Sequence, residues 1–177
     1  MIKIIEVLKV SSAKTVSQIL YPDSTNPHSK IVQVQKQLNT LVGLGKIKRG
    51  SGWYSTLDYQ GEFKSGGHDR LLTALIAQLL CLKLPVTVFR EISFPVGIRS
   101  DLVALIGKNG KALCVVIEAC NNETDEYLQM KYNLWKSWEG ANRALSELFK
   151  ANIPHFSVVI SRNQPDDGFS KLIGELK

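Results

Sequence analysis

Apolar side chains recur at helical spacing through the first third of the chain. In the opening segment they occupy positions 2, 4, 5, 8 and 10, which predicts a helix. A shorter helix at 16–20 is ended by Tyr21-Pro22, because proline disfavours helical backbone in the residue before it. A third helix, 28–44, is predicted from a core stripe spaced by three or four residues: Ile31, Val34, Leu38 and Leu41.

Polar and basic side chains fill the other face of this third helix and the segment behind it. The helix face holds side chains of the kinds that read base edges or contact phosphates in DNA: Lys30, Gln33, Lys36, Gln37 and Thr40. The stretch "KIKRGSGWYSTL" (46–57) then predicts a hairpin with a Gly-Ser-Gly tip and a basic first arm: Lys46, Lys48 and Arg49. This order predicts a DNA-binding winged helix-turn-helix over 1–60, and a plain three-helix bundle or a protein-binding winged helix fits the same pattern.

The pattern changes beyond a polar, glycine-rich stretch at 61–67, which we interpret as a linker. An apolar helix follows at 68–84, and its wide stripe should pack on a sheet. Strands are predicted at 86–94, 101–107 and 111–119, helices at 125–138 and 141–152, a strand at 155–161 and a helix at 169–177. The order predicts a second domain, 68–177, of the α/β class with a mixed sheet.

The positive charge is concentrated in the first of these domains. Residues 1–60 hold eight Lys and Arg against three acids, whereas the other 117 residues hold 14 against 13. The imbalance predicts an anionic partner, double-stranded DNA, for the first domain. No apolar run approaches the roughly 18 residues of a membrane span, and the three cysteines lack metal-ligand spacing. We therefore expect a cytoplasmic protein with no membrane partner.

Two carboxylates stand at the ends of neighbouring predicted strands. Asp101 begins one strand, Glu118 closes the next, and Asn109-Gly110 between them is a tight-turn sequence. Each acid is eight positions from the turn, so they should face each other with Cβ atoms about 5 Å apart. Like charges at this separation need a cation, and Mg²⁺ would compensate them economically. The alternative is a pair of solvated strand ends.

With these acids the second domain resembles the PD-(D/E)xK nuclease superfamily, through "RSD" (99–101) and "IEAC" (117–120) within an αβββαβ order over 68–161. The resemblance implies a restriction-endonuclease-like fold in which Asp101, Glu118 and the carbonyl of Ala119 bind Mg²⁺, with Asp69 a further candidate. A winged helix before this core also resembles the replication-relaxation family of mobile-element proteins, through "HDRLL", "RSD", "EAC" and "LQMKYNLW".

One position departs from the superfamily pattern. Cys120 stands where a lysine two residues after the acid would be expected, and an uncharged thiol can neither position the attacking water nor neutralise phosphate charge. In some members the lysine comes from the next helix, where Lys131 is the candidate.

The sequence therefore favours a DNA-binding protein of plasmid or mobile-element replication or regulation. In this reading the nuclease-like domain is degenerate and serves as a scaffold or dimerisation body, so a homodimer is one assembly it allows. The enzyme alternative is a Mg²⁺-dependent DNA endonuclease with Asp101, Glu118 and Lys131 as catalytic residues. A third alternative is a protein-binding adaptor with an exposed aromatic helix: Tyr127, Tyr132, Trp135 and Trp138. No small-molecule cofactor is expected.

Overall fold

The structure is a computed structural model that describes residues 1–60, 67–120, 123–162 and 167–176. The chain divides into two compact units, Met1–Cys81 and Leu82–Lys177. The described residues form seven helices and seven strands, so the α/β class is confirmed. Among these helices, none has the length and apolar character needed to cross a membrane.

The first unit combines helices with a small antiparallel sheet. Its elements are α1 (Ile2–Leu8), β1 (Val10–Ser12), α2 (Ala13–Leu20), α3 (Pro27–Gly43), β2 (Lys48–Gly50), β3 (Trp53–Ser55) and α4 (Gly67–Cys81). The strands lie in the order β1-β3-β2. The three predicted helices and the hairpin are confirmed as elements, whereas β1 has no counterpart in the sequence prediction.

The core of the first unit contains the predicted stripe of α3. Val34 and Leu38 are fully buried, and Ile31 and Leu41 pack against the same cluster. The hairpin turns at Ser51-Gly52, where φ is 48° and 81°. Positive φ at both turn residues is the geometry of a type I′ turn, which suits the twist of the two flanking strands.

Helix α4 is part of the first unit, which differs from the predicted domain of residues 68–177. It packs against α1, α2 and β1, and the Thr73 hydroxyl lies 3.3 Å from the carbonyl oxygen of Leu8 and 2.8 Å from that of Val10. Its wide apolar stripe predicted burial correctly, but a stripe does not specify which element covers it. The predicted linker lies outside the described residues apart from Gly67, which begins α4.

The second unit is built on a four-stranded mixed sheet. Its elements are β4 (Val86–Ser93), β5 (Arg99–Lys108), β6 (Lys111–Ala119), α5 (Asp125–Ser137), α6 (Ala141–Phe149), β7 (Phe156–Ser161) and α7 (Gly168–Leu176). The strand order is β4-β5-β6-β7, with β7 parallel to β6 and the other pairs antiparallel. The predicted mixed sheet is thus confirmed.

Helices α5 and α6 cover one face of this sheet. Val103 of β5 and Val116 of β6 form a buried cluster with Trp135 of α5 and Leu145 of α6. Because side chains alternate between the two faces of a strand, Asp101 and Glu118 lie on the same face as these valines. The sheet therefore directs both acids toward α5.

Candidate functional site

The register between β5 and β6 brings the two acids together. Asn109 and Gly110 have φ values of 54° and 73°, which define a type I′ turn, and Lys108 pairs with Lys111 beside it. The ladder continues to Leu102 opposite Ile117, so the next positions in this register are Asp101 and Glu118. The register expected from the sequence is confirmed.

Lys131 of α5 lies between the two carboxylates. Its ammonium contacts Oε2 of Glu118 and is 3.7 Å from Oδ2 of Asp101. The Lys131 side chain is only 12 % exposed. The helix that carries it is capped at its N-terminus by Thr124, whose hydroxyl accepts a hydrogen bond of 3.3 Å from the backbone N–H of Tyr127. The structure thus compensates the acid pair with a cation from the chain itself, at the point where the sequence suggested a metal.

Glu118 is almost completely withdrawn from water. Its side chain is 1 % exposed, and Oε1 accepts a 3.0 Å hydrogen bond from the indole N–H of Trp135. Oε2 lies against the Lys131 ammonium and accepts no hydrogen bond from other described residues. Burial raises the pKa of Glu118 to about 7; Lys131 opposes this rise, and the charge of Asp101 adds to it.

The electrostatics of Lys131 favour its charged form. Burial works to lower the pKa of Lys131, but its hydrogen bond with Glu118 and the charges of Glu118 and Asp101 outweigh burial. The pKa of Lys131 is therefore raised above its usual value. An ammonium held in this way stays protonated at neutral pH and can donate hydrogen bonds to an anion or a water.

Asp101 is fixed across the end of β6. Its Oδ2 accepts a hydrogen bond of 2.8 Å from the backbone N–H of Ala119, and the side chain is only partly exposed. Ala119 is itself buried and pairs with Ser161 of β7. Ala119 therefore enters the site through its N–H, and the metal-ligand role of its carbonyl stays a prediction.

Two other sequence candidates have structural partners. The Cys120 thiol is buried and donates to the carbonyl oxygen of Glu123 at 3.4 Å. Asp69 lies on α4 in the first unit and accepts a 2.5 Å hydrogen bond from the Tyr59 hydroxyl. Within the described ranges, no group of three or more His, Cys, Asp or Glu residues could hold a metal ion.

The predicted DNA-binding face of α3 is largely open to solvent. Gln33, Lys36 and Gln37 are exposed, and Lys30 is half-buried. The Lys30 ammonium lies 3.4 Å from Oε1 of Gln33 and 4.9 Å from the ring centroid of Tyr21. These four polar side chains follow one another along a single side of the helix, as the sequence pattern predicts.

The three basic residues of the hairpin segment differ in accessibility. Lys46 is exposed, whereas Lys48 is half-buried with its ammonium against the carbonyl oxygen of Tyr59. The exposed Arg49 donates from Nη1 to Oδ1 of Asn39 at 3.2 Å. The sequence prediction grouped these three cations as equals and did not include Asn39, whose role depends on how α3 packs beside the hairpin.

The aromatic residues of α5 do not form one exposed surface. Trp135 is fully buried and packs on Phe94 and Phe156, so its assignment to an exposed protein-binding helix was wrong. Its position seven residues after the buried Leu128 places it on the inner face of the helix. Tyr127 is exposed, with its ring centroid 5.9 Å from the Lys131 ammonium.

No protein-family model, curated protein or solved structure matches this chain.

Proposed function

We propose that the chain is a DNA-binding protein with a metal-dependent phosphodiesterase site in its second unit. The observation that carries this proposal is the position of Lys131, whose ammonium contacts Glu118 and lies 3.7 Å from Asp101. The main sequence argument against an enzyme was the cysteine at position 120. A lysine from α5 supplies the missing positive charge at the acid pair.

The donor set suits a hard divalent cation. Two carboxylates face each other, and Oε2 of Glu118 contacts the ammonium but accepts no hydrogen bond from other described residues. Mg²⁺ prefers one or two carboxylates together with waters and substrate phosphate, so Asp101 and Glu118 would hold it. Bound there, Mg²⁺ would supply Lewis-acid stabilisation of the phosphate and a nucleophilic hydroxide.

The side chains of the site have separate roles in this proposal. Lys131 donates a hydrogen bond to the attacking water or to a phosphate oxygen, and its charge stabilises the negative charge that develops there. Trp135 holds Glu118 through its indole N–H, and the N–H of Ala119 holds Asp101. Trp135 and Ala119 are thus positioning groups, whereas Asp101, Glu118 and Lys131 contact the reacting components.

The first unit would deliver this site to duplex DNA. Two observations support a winged helix that binds DNA: the order of helices, short strand and hairpin, and the location of nearly all the excess positive charge in residues 1–60. In this docking α3 enters the major groove and the hairpin contacts the backbone. The second unit would then have the restriction-endonuclease-like fold, and the biological setting would be plasmid or mobile-element replication or regulation.

A cleavage assay tests the enzymatic part. The purified chain is incubated with supercoiled, linear and branched DNA in Mg²⁺ or Mn²⁺, alongside Asp101→Asn and Lys131→Met. We expect cleavage by the wild type and loss in both variants, with duplex binding in EDTA unchanged and the assay run at a temperature where thermal unfolding shows each variant to be folded. Lys136→Met, on the same helix but outside the acid pair, is the matched control. Cleavage that persists in Asp101→Asn would exclude the proposed site.

The second candidate is a DNA-binding protein with a silent nuclease-like unit. It is favoured by the burial of Glu118 and by the ion pair that already neutralises it. This candidate predicts duplex binding in EDTA, no cleavage of any substrate and no response of thermal unfolding to Mg²⁺ or Mn²⁺. A metal-induced rise in Tm that disappears in Asp101→Asn would exclude it.

A further inference from the structure

Arg49 is an exposed cation of the hairpin whose guanidinium contacts both the Tyr54 ring and the Asn39 side chain. It lies directly opposite Tyr54 in the β2–β3 ladder, and its guanidinium carbon is 5.5 Å from the centroid of the Tyr54 ring. Tyr54 is only 1 % exposed, so its ring is a fixed platform. A guanidinium over an aromatic face is attracted by the negative charge of the ring surface.

Asn39 connects this platform to α3. Its Oδ1 accepts a 2.8 Å hydrogen bond from the Tyr54 hydroxyl and a 3.2 Å hydrogen bond from Nη1 of Arg49. An amide oxygen has two acceptor positions, so both are used and the amide orientation is fixed. Asn39 therefore cannot also accept a hydrogen bond from a base edge through this oxygen.

The guanidinium keeps further donors for a ligand. Arginine carries several N–H groups in a planar fork that matches the two oxygens of a phosphate, and Asn39 uses one of them. Lys48 contrasts with it, because its ammonium is directed to the carbonyl oxygen of Tyr59. The Lys46 side chain is exposed and makes no hydrogen bond or ion pair with the described residues, so it must be ordered when it binds.

We propose that Asn39 and Tyr54 are positioning residues that pre-orient Arg49 as the phosphate anchor of the hairpin. This inference rests on the proposed binding of duplex DNA and adds which hairpin cation contacts the backbone and what holds it. A side chain that is already ordered loses less conformational entropy on binding. The hydrogen bonds from Arg49 and Tyr54 to Asn39 also connect the hairpin to α3, so they fix the position of one DNA-contacting element relative to the other.

The test is a titration of a labelled duplex of about 20 base pairs, two helical turns, followed by fluorescence anisotropy in EDTA at several salt concentrations. Arg49→Ala removes a phosphate contact, so we expect weaker binding and a salt slope smaller by about 0.9. Asn39→Ala keeps the charge of Arg49 but leaves its side chain to be ordered on binding, so we expect roughly three- to tenfold weaker binding with the salt slope unchanged. The double variant should match Arg49→Ala alone, because Asn39 acts through Arg49.

Two further variants control the interpretation. Lys48→Ala should bind DNA as the wild type does, and Lys3→Ala, an exposed cation of α1, is the charge-matched control for Arg49→Ala. Asn39→Asp keeps the acceptor for Tyr54 but pairs its charge with Arg49, so it should lower the salt slope by about 0.9. If Asn39→Ala is unstable, Asn39→Asp tests the role of Asn39 in its place. Thermal unfolding of every variant verifies that it is folded.

Several results would overturn the inference. Asn39 does not act through Arg49 if Asn39→Ala binds DNA with wild-type affinity. The same conclusion follows if Asn39→Ala weakens binding as much in the Arg49→Ala background as it does in the wild type. A reduced slope in Lys48→Ala with an unchanged slope in Arg49→Ala would make Lys48 the anchor. Failure of the wild type to bind any duplex would instead refute the proposed function, and the inference with it.

Discussion

Replacing Lys131 with methionine tests whether its ammonium is the cation that the acid pair requires. Methionine is unbranched and has a similar helix propensity, so the main change is the loss of charge. At the 3.7 Å separation from Asp101, the lost attraction is about 4–5 kcal/mol for an effective dielectric constant of about 20. Part of this lost attraction is offset, because the variant avoids the free-energy cost of removing an ammonium from water. Breaking buried pairs typically costs about 3–5 kcal/mol, so we expect a loss in that range.

Urea unfolding at pH 7, followed by far-ultraviolet circular dichroism, measures this loss. Adding Glu118→Gln to Lys131→Met should recover most of the stability, because the glutamine amide is neutral at every pH, whereas Glu118 without the ammonium must take up a proton to be buried. The free energy lost in Lys131→Met should also be smaller at pH 5 than at pH 7. Lys131 lowers the raised pKa of Glu118, so its removal raises that pKa further, and at pH 5 the Glu118 carboxyl is protonated in the wild type as well as in the variant. Lys136→Met should change the free energy of unfolding by less than about 1 kcal/mol.

A Lys131→Met variant as stable as the wild type at pH 7 would refute this reasoning. It would mean that the two carboxylates are not held together by the ammonium and that another cation or a shared proton compensates them. A large loss that Glu118→Gln does not reverse would also contradict it, since the defect would then arise from packing along α5 rather than from charge.

The remaining predictions concern the groups around this pair. The pKa of Glu118 is about 7 in the folded chain against an ordinary 4.5, so the folded state keeps a proton that the unfolded state loses. Stability should therefore fall by about 3 kcal/mol as pH rises through this window, and Glu118→Gln should flatten the urea series. Trp135→Phe removes the donor to Oε1, and we expect a loss of about 1.5–3 kcal/mol in the same assay. Thr124→Ala removes the N-cap of α5, and its unfolding free energy should fall by about 1 kcal/mol.

The elements predicted best from the sequence are those with local signals. The β5–β6 hairpin follows from Asn109-Gly110, whose turn geometry fixes the register of every residue behind it. The core stripe of α3 follows from helical spacing. Strand β1 was missed because its three residues are stabilised by pairing with β3, more than 40 positions along the chain. Such long-range pairing leaves no periodicity in a segment so short.

The site was predictable in part for the same reason. Asp101 and Glu118 follow from the turn, whereas the direction of Lys131 depends on how α5 is rotated on the sheet. The sequence does contain a signal for this rotation, because Leu128, Lys131 and Trp135 are spaced by three and four residues and share a helix face. Asn39 had no comparable signal, since its contacts with Arg49 and Tyr54 arise from tertiary packing.

Cys120 and Lys131 together show why the spacing of a motif is a weaker criterion than the position of a charge. The reaction proposed here requires an ammonium beside two carboxylates, and either the strand that ends in Glu118 or the helix that packs on it can supply one. At position 120 the chain leaves the strand, and the buried thiol donates to the Glu123 carbonyl that leads into α5. About two turns further along the chain, on the inner face of this helix, Lys131 reaches both acids, and Trp135, one turn later, reaches Glu118. Where the lysine expected two residues after the strand-end acid is absent, the next helix is therefore the place to examine. The feature to look for there is a lysine followed four positions later by an aromatic residue.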